Sequence, residues 1–347
     1  MQNPAEHLKG LTLEGDWYVS EKIEHGDDHS GGNFSICYRV TKNGHTAFLK
    51  AIDVSKAMGG PDPTRGLQTL MNAYEYEKEL CTTCDGRRMD RVVRILAAGS
   101  TYPLKHLPVF VPYLIFELAS TTLREHVLET THNMDNATLM RSLHNVAVAI
   151  SQLHSAGIVH QDIKGSNVLL FSPDGESKVA DLGRAEMISK ESIYFHFPIA
   201  GDPDYAPPEQ RLNYISDKWD VRRRSTDLYL LGSLICFYYT QFPMTALYEI
   251  HLAPEFKKGA WKGKFEQVLP VLKDAFQEIL EFLEEQLSET FSEKDIIQNI
   301  VKLVKFLCDP DPSKRGHPDS LPIDQYAMER FITSFDVLAN RFESKLL

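Results

Sequence analysis

The spacing of apolar positions changes along this chain, and each change predicts a different element. Thr46-Ala47-Phe48-Leu49-Lys50-Ala51-Ile52 alternates with the two-residue period of a half-buried strand. Tyr113-Leu114-Ile115-Phe116-Glu117-Leu118-Ala119 is an almost unbroken apolar run, as expected of a buried strand running into a linker. Between them, Leu70, Tyr74, Glu77, Cys81 and Cys84 recur at helical spacing, so Glu77 shares an inward face while Glu75 and Glu79 point elsewhere. Val168-Leu169-Leu170-Phe171 and Lys178-Val179-Ala180 read as two short strands joined through a turn at Pro173-Asp174-Gly175. The longest apolar stretch, Leu228 to Tyr239, contains Gly232 and Ser233 and is too short to span a bilayer, so it predicts a buried helix. Residues 261–347 read as amphipathic helices, Met58-Gly59-Gly60-Pro61-Asp62-Pro63 as a loop, and no internal repeat is evident.

A chain of 347 residues with 43% hydrophobic content buries a large core, and its length suggests two lobes or domains. Its net charge of −11 argues against nucleic acid and anionic lipid as partners. Arg222-Arg223-Arg224 is a local basic knot, readable either as a solvated helix entrance or as a docking point for an acidic partner. Five cysteines without framework spacing fit a reducing, cytoplasmic setting. Cys81-Thr82-Thr83-Cys84 invites a zinc or redox reading, but no second Cys/His pair has ligand spacing and both thiols lie on the inward helix face, which favours packing. Met1-Gln2-Asn3-Pro4-Ala5-Glu6-His7 has neither a basic flank nor an apolar core, so no signal peptide is expected.

The chemistry concentrates in His160-Gln161-Asp162-Ile163-Lys164-Gly165-Ser166-Asn167, followed by Asp181-Leu182-Gly183. A transferring phosphoryl group spreads charge over its oxygens, so it requires a residue to orient the attacking hydroxyl, oxygen ligands for a metal and a cation on the phosphates. Asp162, Asn167, Asp181 and Lys164 are those residue types. Any one of them alone is an ordinary turn or strand-end residue. The two short strands, however, deliver Asp181 back beside Asn167. This spacing resembles the catalytic loop and the metal-binding Asp-Phe-Gly of eukaryotic-type protein kinases at His160, Asp162, Asn167, Asp181 and Gly183, with Gln161 and Leu182 as departures.

Other pieces that resemble this family follow in chain order, from about residue 15 to 340. The resemblance makes Lys50 the ATP-clamping lysine and Glu77 its helix partner. Ser30-Gly31-Gly32-Asn33-Phe34-Ser35-Ile36-Cys37 stands at the phosphate-covering loop, with only Gly32 in register and Phe34 at the tip. The resemblance also assigns Cys37, Leu169 and Phe48 to the nucleotide pocket; Phe48 replaces a small alanine that lies over the adenine. Phe116 would guard the back of that pocket, and the backbone from Glu117 to Ala119 would bond the base. Gly201-Asp202-Pro203-Asp204-Tyr205-Ala206-Pro207-Pro208-Glu209 resembles the Ala-Pro-Glu end of the activation segment, and Asp227-Leu228-Tyr229-Leu230-Leu231-Gly232 the start of the central buried helix. Leu307-Cys308-Asp309-Pro310-Asp311-Pro312-Ser313-Lys314-Arg315 resembles the late element whose arginine pairs with Glu209.

The resemblance implies an α+β, two-lobed protein kinase-like fold. Residues 1–14 form an N-terminal extension, 15–117 a small strand-rich lobe and 118–347 a larger, mainly helical lobe, with ATP in the cleft. The implied reaction moves the ATP γ-phosphate to a protein hydroxyl. Asp162 orients the acceptor, Lys164 neutralises the transferring phosphate, Lys50 and Glu77 clamp the other phosphates, and Asn167 and Asp181 bind Mg²⁺. Lys164 resembles the serine/threonine branch. Gln161 carries no charge to pair with a phosphate, and Asp202 stands near a threonine of the family, so activity is expected without phosphorylation of Ser189, Ser192 or Tyr194. Two other functions share these pieces: a small-molecule phosphotransferase of the aminoglycoside type, which ordinarily lacks the Glu209 and Arg315 elements, and a non-enzymatic pseudokinase scaffold.

Overall fold

The computed structural model describes residues 3–23, 35–104, 109–130, 135–171 and 176–344. The chain divides into two compact units, Met1–Ser120 and Thr121–Leu347.

The first unit is built on a six-stranded antiparallel sheet. Its strands are β1 (Thr12–Leu13), β2 (Trp17–Lys22), β3 (Ser35–Lys42), β4 (His45–Ile52), β5 (Ile95–Thr101) and β6 (Val111–Glu117), in the order β1-β2-β3-β4-β6-β5. A two-residue Asn43-Gly44 turn closes the β3–β4 hairpin; both residues have positive φ, 49° and 78°, as a turn that follows the strand twist demands. The alternation in β4 sends Ala47, Leu49 and Ala51 into a core with Val19, Val40 and Ile115. Residues set apart in the sequence as an extension belong to that same core through Ala5, Leu8 and Leu13, and the Tyr38 hydroxyl donates to the Ala5 carbonyl at 2.6 Å. Against other sheet residues, Ile52 and Leu114, packs Tyr74 of the helix Pro63–Gly86. That helix begins earlier than its apolar stripe suggests, because the Asp62 carboxylate caps the Arg65 N–H and Pro63 pre-sets the first turn.

The second unit surrounds the helix Arg224–Thr240, in which Ser225 to Thr240 are buried on every side. A helix apolar all round belongs in a core. The helix Asn136–Ser155 packs on it and on the terminal helix Glu329–Glu343. Short ladders flank these helices: β7 (Thr121–Thr122), β9 (Val168–Leu170) and β10 (Ser177–Val179) pair in the order β10-β9-β7, and β8 (Ile158–Val159) pairs with β11 (Glu186–Met187). Among the described residues, no helix is long and apolar enough to cross a membrane. All five cysteines are buried and none is in a disulfide, and burial pushes the Cys84 thiol up to about 12, in keeping with the packing expected of Cys81 and Cys84.

The basic knot is neither a solvated helix entrance nor a docking point. Arg223 is fully buried against Glu186, Arg224 binds Asp324 with two nitrogens at 3.0 and 2.8 Å, and Arg222 donates to the Phe195 carbonyl. These guanidiniums fasten the chain to itself.

Glu209 and Arg315 form a two-pronged buried pair, with both N–O distances 2.6 Å and Arg315 without solvent exposure. Arg315 also donates to the Asp309 carbonyl and lies over the Tyr229 ring, so one side chain joins the helix start at Pro208, the central helix and the Asp309 turn. Removing one partner strands a charge away from water. Arg315→Ala should lower the unfolding free energy of the chain by roughly 3–5 kcal/mol. Chemical denaturation checks this; an unchanged midpoint would show that the pair contributes nothing net.

Candidate active site

The chemistry-bearing side chains form two groups, one on each unit. In the first, β4 places Phe48 and Lys50 on the face opposite Ala47 and Leu49. The Lys50 ammonium meets Glu77 Oε1 at 2.8 Å, and both side chains are largely withdrawn from solvent, at 18% and 8% exposure. Glu75, two residues earlier, pairs with Lys78 at the surface. The helical stripe therefore distinguishes the glutamates in the way the sequence implies. Cys37 of β3 and Leu114 of β6 stand opposite Lys50 in the ladder, and Phe48 stands between Arg39 and Phe116. Phe116, Glu117 and Ala119 are half-buried. Glu117 fastens the end of β6 by donating its N–H to the Arg94 carbonyl and accepting the Arg94 N–H on its carboxylate. Ser30, Gly31, Gly32 and Phe34 lie outside the described residues.

In the second unit β8 leads into the loop carrying Asp162. Asp227, at the start of the buried helix, accepts the His160 and Gln161 N–H groups at 2.9 and 2.7 Å. Gln161 is thereby held at a φ of 64°, a left-handed conformation that a non-glycine residue keeps only when its surroundings impose it. His160 Nε2 lies 3.0 Å from the Ala180 carbonyl, and its Nδ1 accepts the Asp162 N–H at 3.3 Å. The imidazole thus ties the loop to the strand end that carries Asp181.

Donors hold the Asp162 carboxylate on both oxygens. The Asp202 N–H donates to Oδ1 at 2.9 Å, and the Asn167 carboxamide nitrogen donates to Oδ2 at 3.0 Å and to the Asp162 carbonyl at 2.8 Å. Lys164 stands beside it, 2.8 Å from Asp202 and 3.5 Å from Asp162. A side chain at Gly201 would place its Cβ 2.1 Å from the Gln161 carbonyl and 3.1 Å from Asp162 Oδ1, so the approach of Asp202 requires glycine there. Val168 pairs with Val179, and the Ala180 N–H donates to the Asn167 carbonyl at 2.8 Å, which brings the neighbouring Asp181 alongside Asn167. Leu169 faces Lys178 across the ladder and is half-buried.

The charges follow from this packing. Burial pushes the Asp162 carboxyl above the ordinary aspartate range, against the pull of Lys164. Burial alone would lower Lys164, but Asp162 and Asp202 raise it. Asp202 is held below its usual range, because Lys164 and the Asp204 N–H outweigh its own burial. The cluster is a fixed, desolvated carboxylate beside an ammonium, an arrangement able to orient a hydroxyl and meet a developing anion.

Sequence reasoning placed Asp202 only by analogy with a threonine and gave it no contact. It read Asp227 as a helix start rather than as the anchor of the loop, and it missed Glu186 and the inward turn of Arg223. A glycine followed by a carboxylate was a visible signal for Asp202; nothing local marks Glu186.

Comparison with known proteins gives a consistent picture. The family model described as the protein kinase domain matches residues 31–326. The serine/threonine-protein kinase WNG2 of Toxoplasma gondii is 32% identical over 166 residues, 47% of this chain and 27% of its own. A probable serine/threonine-protein kinase of Dictyostelium discoideum is 25% identical over 253 residues, 71% of this chain and 45% of its own. The serine/threonine-protein kinase PknA of Mycobacterium tuberculosis (strain ATCC 25177 / H37Ra) is 28% identical over 120 residues, 35% of this chain and 26% of its own. The matched regions span at most about half the length of these relatives.

The Asp162 carboxyl should titrate above a surface aspartate in a carbon-13 NMR titration, assigned by difference from Asp162→Asn. Its raised folded value means that the neutral form is favoured by folding, so the ionised form is gained only as pH rises past the ordinary range. Lys164→Met should move that midpoint further up, because the ammonium is the strongest influence pulling it down. A midpoint unmoved by Lys164→Met would show that the two groups do not interact.

Proposed function

We propose, from the premise that this chain belongs to the protein kinase domain family, that it transfers the γ-phosphate of ATP to serine or threonine hydroxyls of a protein. The observation that carries the reading is the Asp162 carboxylate fixed by Asp202 and Asn167 with Lys164 alongside. Asp162 orients the acceptor hydroxyl and takes its proton. Lys164 leaves part of its interaction with Asp202 to meet the oxygens of the moving phosphoryl group. Lys50, held by Glu77, neutralises the other phosphates.

The donor set fits Mg²⁺. Asn167 directs its carboxamide nitrogen to Asp162, which orients its oxygen away from that carboxylate, and Asp181 supplies a carboxylate from the next strand end. Mg²⁺ commonly takes one or two carboxylate-type ligands and completes its shell with phosphate and water oxygens. When bound, the ion would offset phosphate charge. The Glu209–Arg315 pair favours a protein over a small molecule as acceptor, since small-molecule kinases of similar fold ordinarily lack it. Five buried cysteines with none in a disulfide suit a cytoplasmic setting.

Purified protein supplied with radiolabelled ATP and Mg²⁺ should label a serine- or threonine-bearing substrate, and Asp181→Asn and Lys50→Met should each abolish labelling with the fold intact. Residual activity within about threefold of wild type in either variant would reject the assignment.

Phe48 shares the face of Lys50, where an aromatic ring would stack on a bound base or crowd it. Phe48→Ala should change ATP affinity by about tenfold or more, the equivalent of roughly 1 to 2 kcal/mol. Equal affinities by calorimetry would place the base elsewhere.

A further inference from the structure

Arg223 lies at the entrance of the central helix with no solvent exposure, and each nitrogen of its guanidinium meets a group of the second unit. Nη1 donates to the Gln161 side-chain oxygen at 2.7 Å. Nη2 donates to the Phe195 carbonyl at 2.9 Å and lies 2.8 Å from Glu186 Oε2, while Nε donates to Glu186 Oε1 at 3.2 Å. Gln161 sends its amide on to the Arg184 carbonyl at 3.2 Å. Arg184 in turn covers the Tyr194 ring at 4.3 Å, and Arg222 donates to the same Phe195 carbonyl and covers the Phe195 ring.

Two partners of Arg223, Glu186 and Phe195, belong to the segment between Asp181 and Glu209, as does Arg184, to which Gln161 donates, and Gln161 itself is the residue before Asp162. The arrangement therefore ties the position of the segment to the aim of the Asp162 loop. Its charge is matched locally: the fully buried Glu186 of β11 carries the negative partner of Arg223, Arg222 is a second cation on the same Phe195 carbonyl, and Gln161 bridges the pair to the loop as a neutral donor and acceptor. An ion pair desolvated to this extent requires both partners.

We propose that Arg223 is a positioning residue that clamps the 181–209 segment through Glu186, Phe195 and Gln161, so that the segment is ordered by the chain's own charges and needs no added phosphate. The proposal rests on the kinase reading for its effect on rate, but the clamp itself is a statement about the segment. In this molecule the neutral Gln161 is required, because an arginine at that position would face the Arg223 guanidinium at hydrogen-bond distance.

The test combines rate with local opening. Full-length protein is stripped by a phosphatase until its intact mass shows no phosphate, and transfer to an added substrate is measured beside trypsin cleavage after Lys190, an exposed site inside the segment. The phosphate-free wild type should keep its rate within about twofold. Arg223→Met should speed cleavage after Lys190 by about tenfold or more and lower kcat about tenfold, with the KM for ATP within about threefold, since its partners position Asp162 rather than the nucleotide. Gln161→Arg should act in the same direction. Should Arg223→Met fail to fold, Gln161→Leu removes one acceptor without stranding a buried charge and should still speed cleavage. A phosphate-free wild type at a tenth of its rate or less, regained on phosphorylation, would overturn the proposal. So would cleavage unchanged in Arg223→Met, or in Gln161→Leu where that variant stands in. A wild type without transfer activity whose Arg223→Met variant is nevertheless cleaved faster would leave the clamp standing and remove the kinase reading instead.

Discussion

The carboxylate of Asp227 is the constraint on which the second unit depends. It sits without solvent exposure at the head of the buried helix and receives two backbone N–H groups, from His160 and Gln161, together with His154 at 2.9 Å. A carboxylate removed from water must be saturated by donors, and two successive backbone amides satisfy it only if the chain between them turns sharply. That requirement accounts for the left-handed Gln161, and the turn aims the next residue, Asp162, at Asn167 and Asp202. The aim of Asp162 is thus set by the buried central helix of the unit. Loops that carry chemistry gain their accuracy from such scaffolds.

Around this anchor the unit distributes buried charge in nearly neutral sets. Arg315 meets Glu209, Arg223 meets Glu186, and Lys164 is shared by Asp162 and Asp202. The first two are buried one-to-one pairs, so their role is to hold distant stretches of chain in one arrangement. The third set carries one carboxylate in excess over its ammonium. That imbalance marks it as the place where a further positive charge or a proton is accommodated, and it is the only one of the three with a partner as exposed as Asp202, whose side chain keeps 24% of its surface.

Much of this was legible in the sequence because it is local. The helical stripe of Leu70, Tyr74, Glu77, Cys81 and Cys84 identified the glutamate that meets Lys50, and alternation in β4 fixed the face on which Lys50 and Phe48 lie. The short β9–β10 ladder, which returns Asp181 to Asn167, followed from two strand signals and a turn. What escaped is long-range. Three consecutive arginines at 222–224 look like a solvated knot because charge runs ordinarily face water, yet each is drawn inward by a carboxylate or carbonyl between 27 and 100 residues away in sequence. Residues 3–14 looked peripheral for a similar reason: Ala5, Leu8 and Leu13 are too few to show a period, and only their contacts with the sheet reveal them as core. The serine- and glycine-rich stretch at 30–34 had the weakest match to the family pattern and lies outside the described residues.

The same distinction explains why a degenerate motif need not mean a disordered one. Gln161 replaces a charged residue common in the family, and a reading confined to the motif takes this as a loss. Within the fold, the missing cation is present four residues before Asp227, on the helix that already fixes the loop, and the acid that balances it comes from β11. A charge moved from the loop to the scaffold changes what can compensate it. A cation on a mobile loop waits for an anion to arrive, whereas Arg223, desolvated and already paired, has spent its interactions within the chain. A segment ordered in that way has little further stabilisation to gain from an added anion, so its order is set by folding itself.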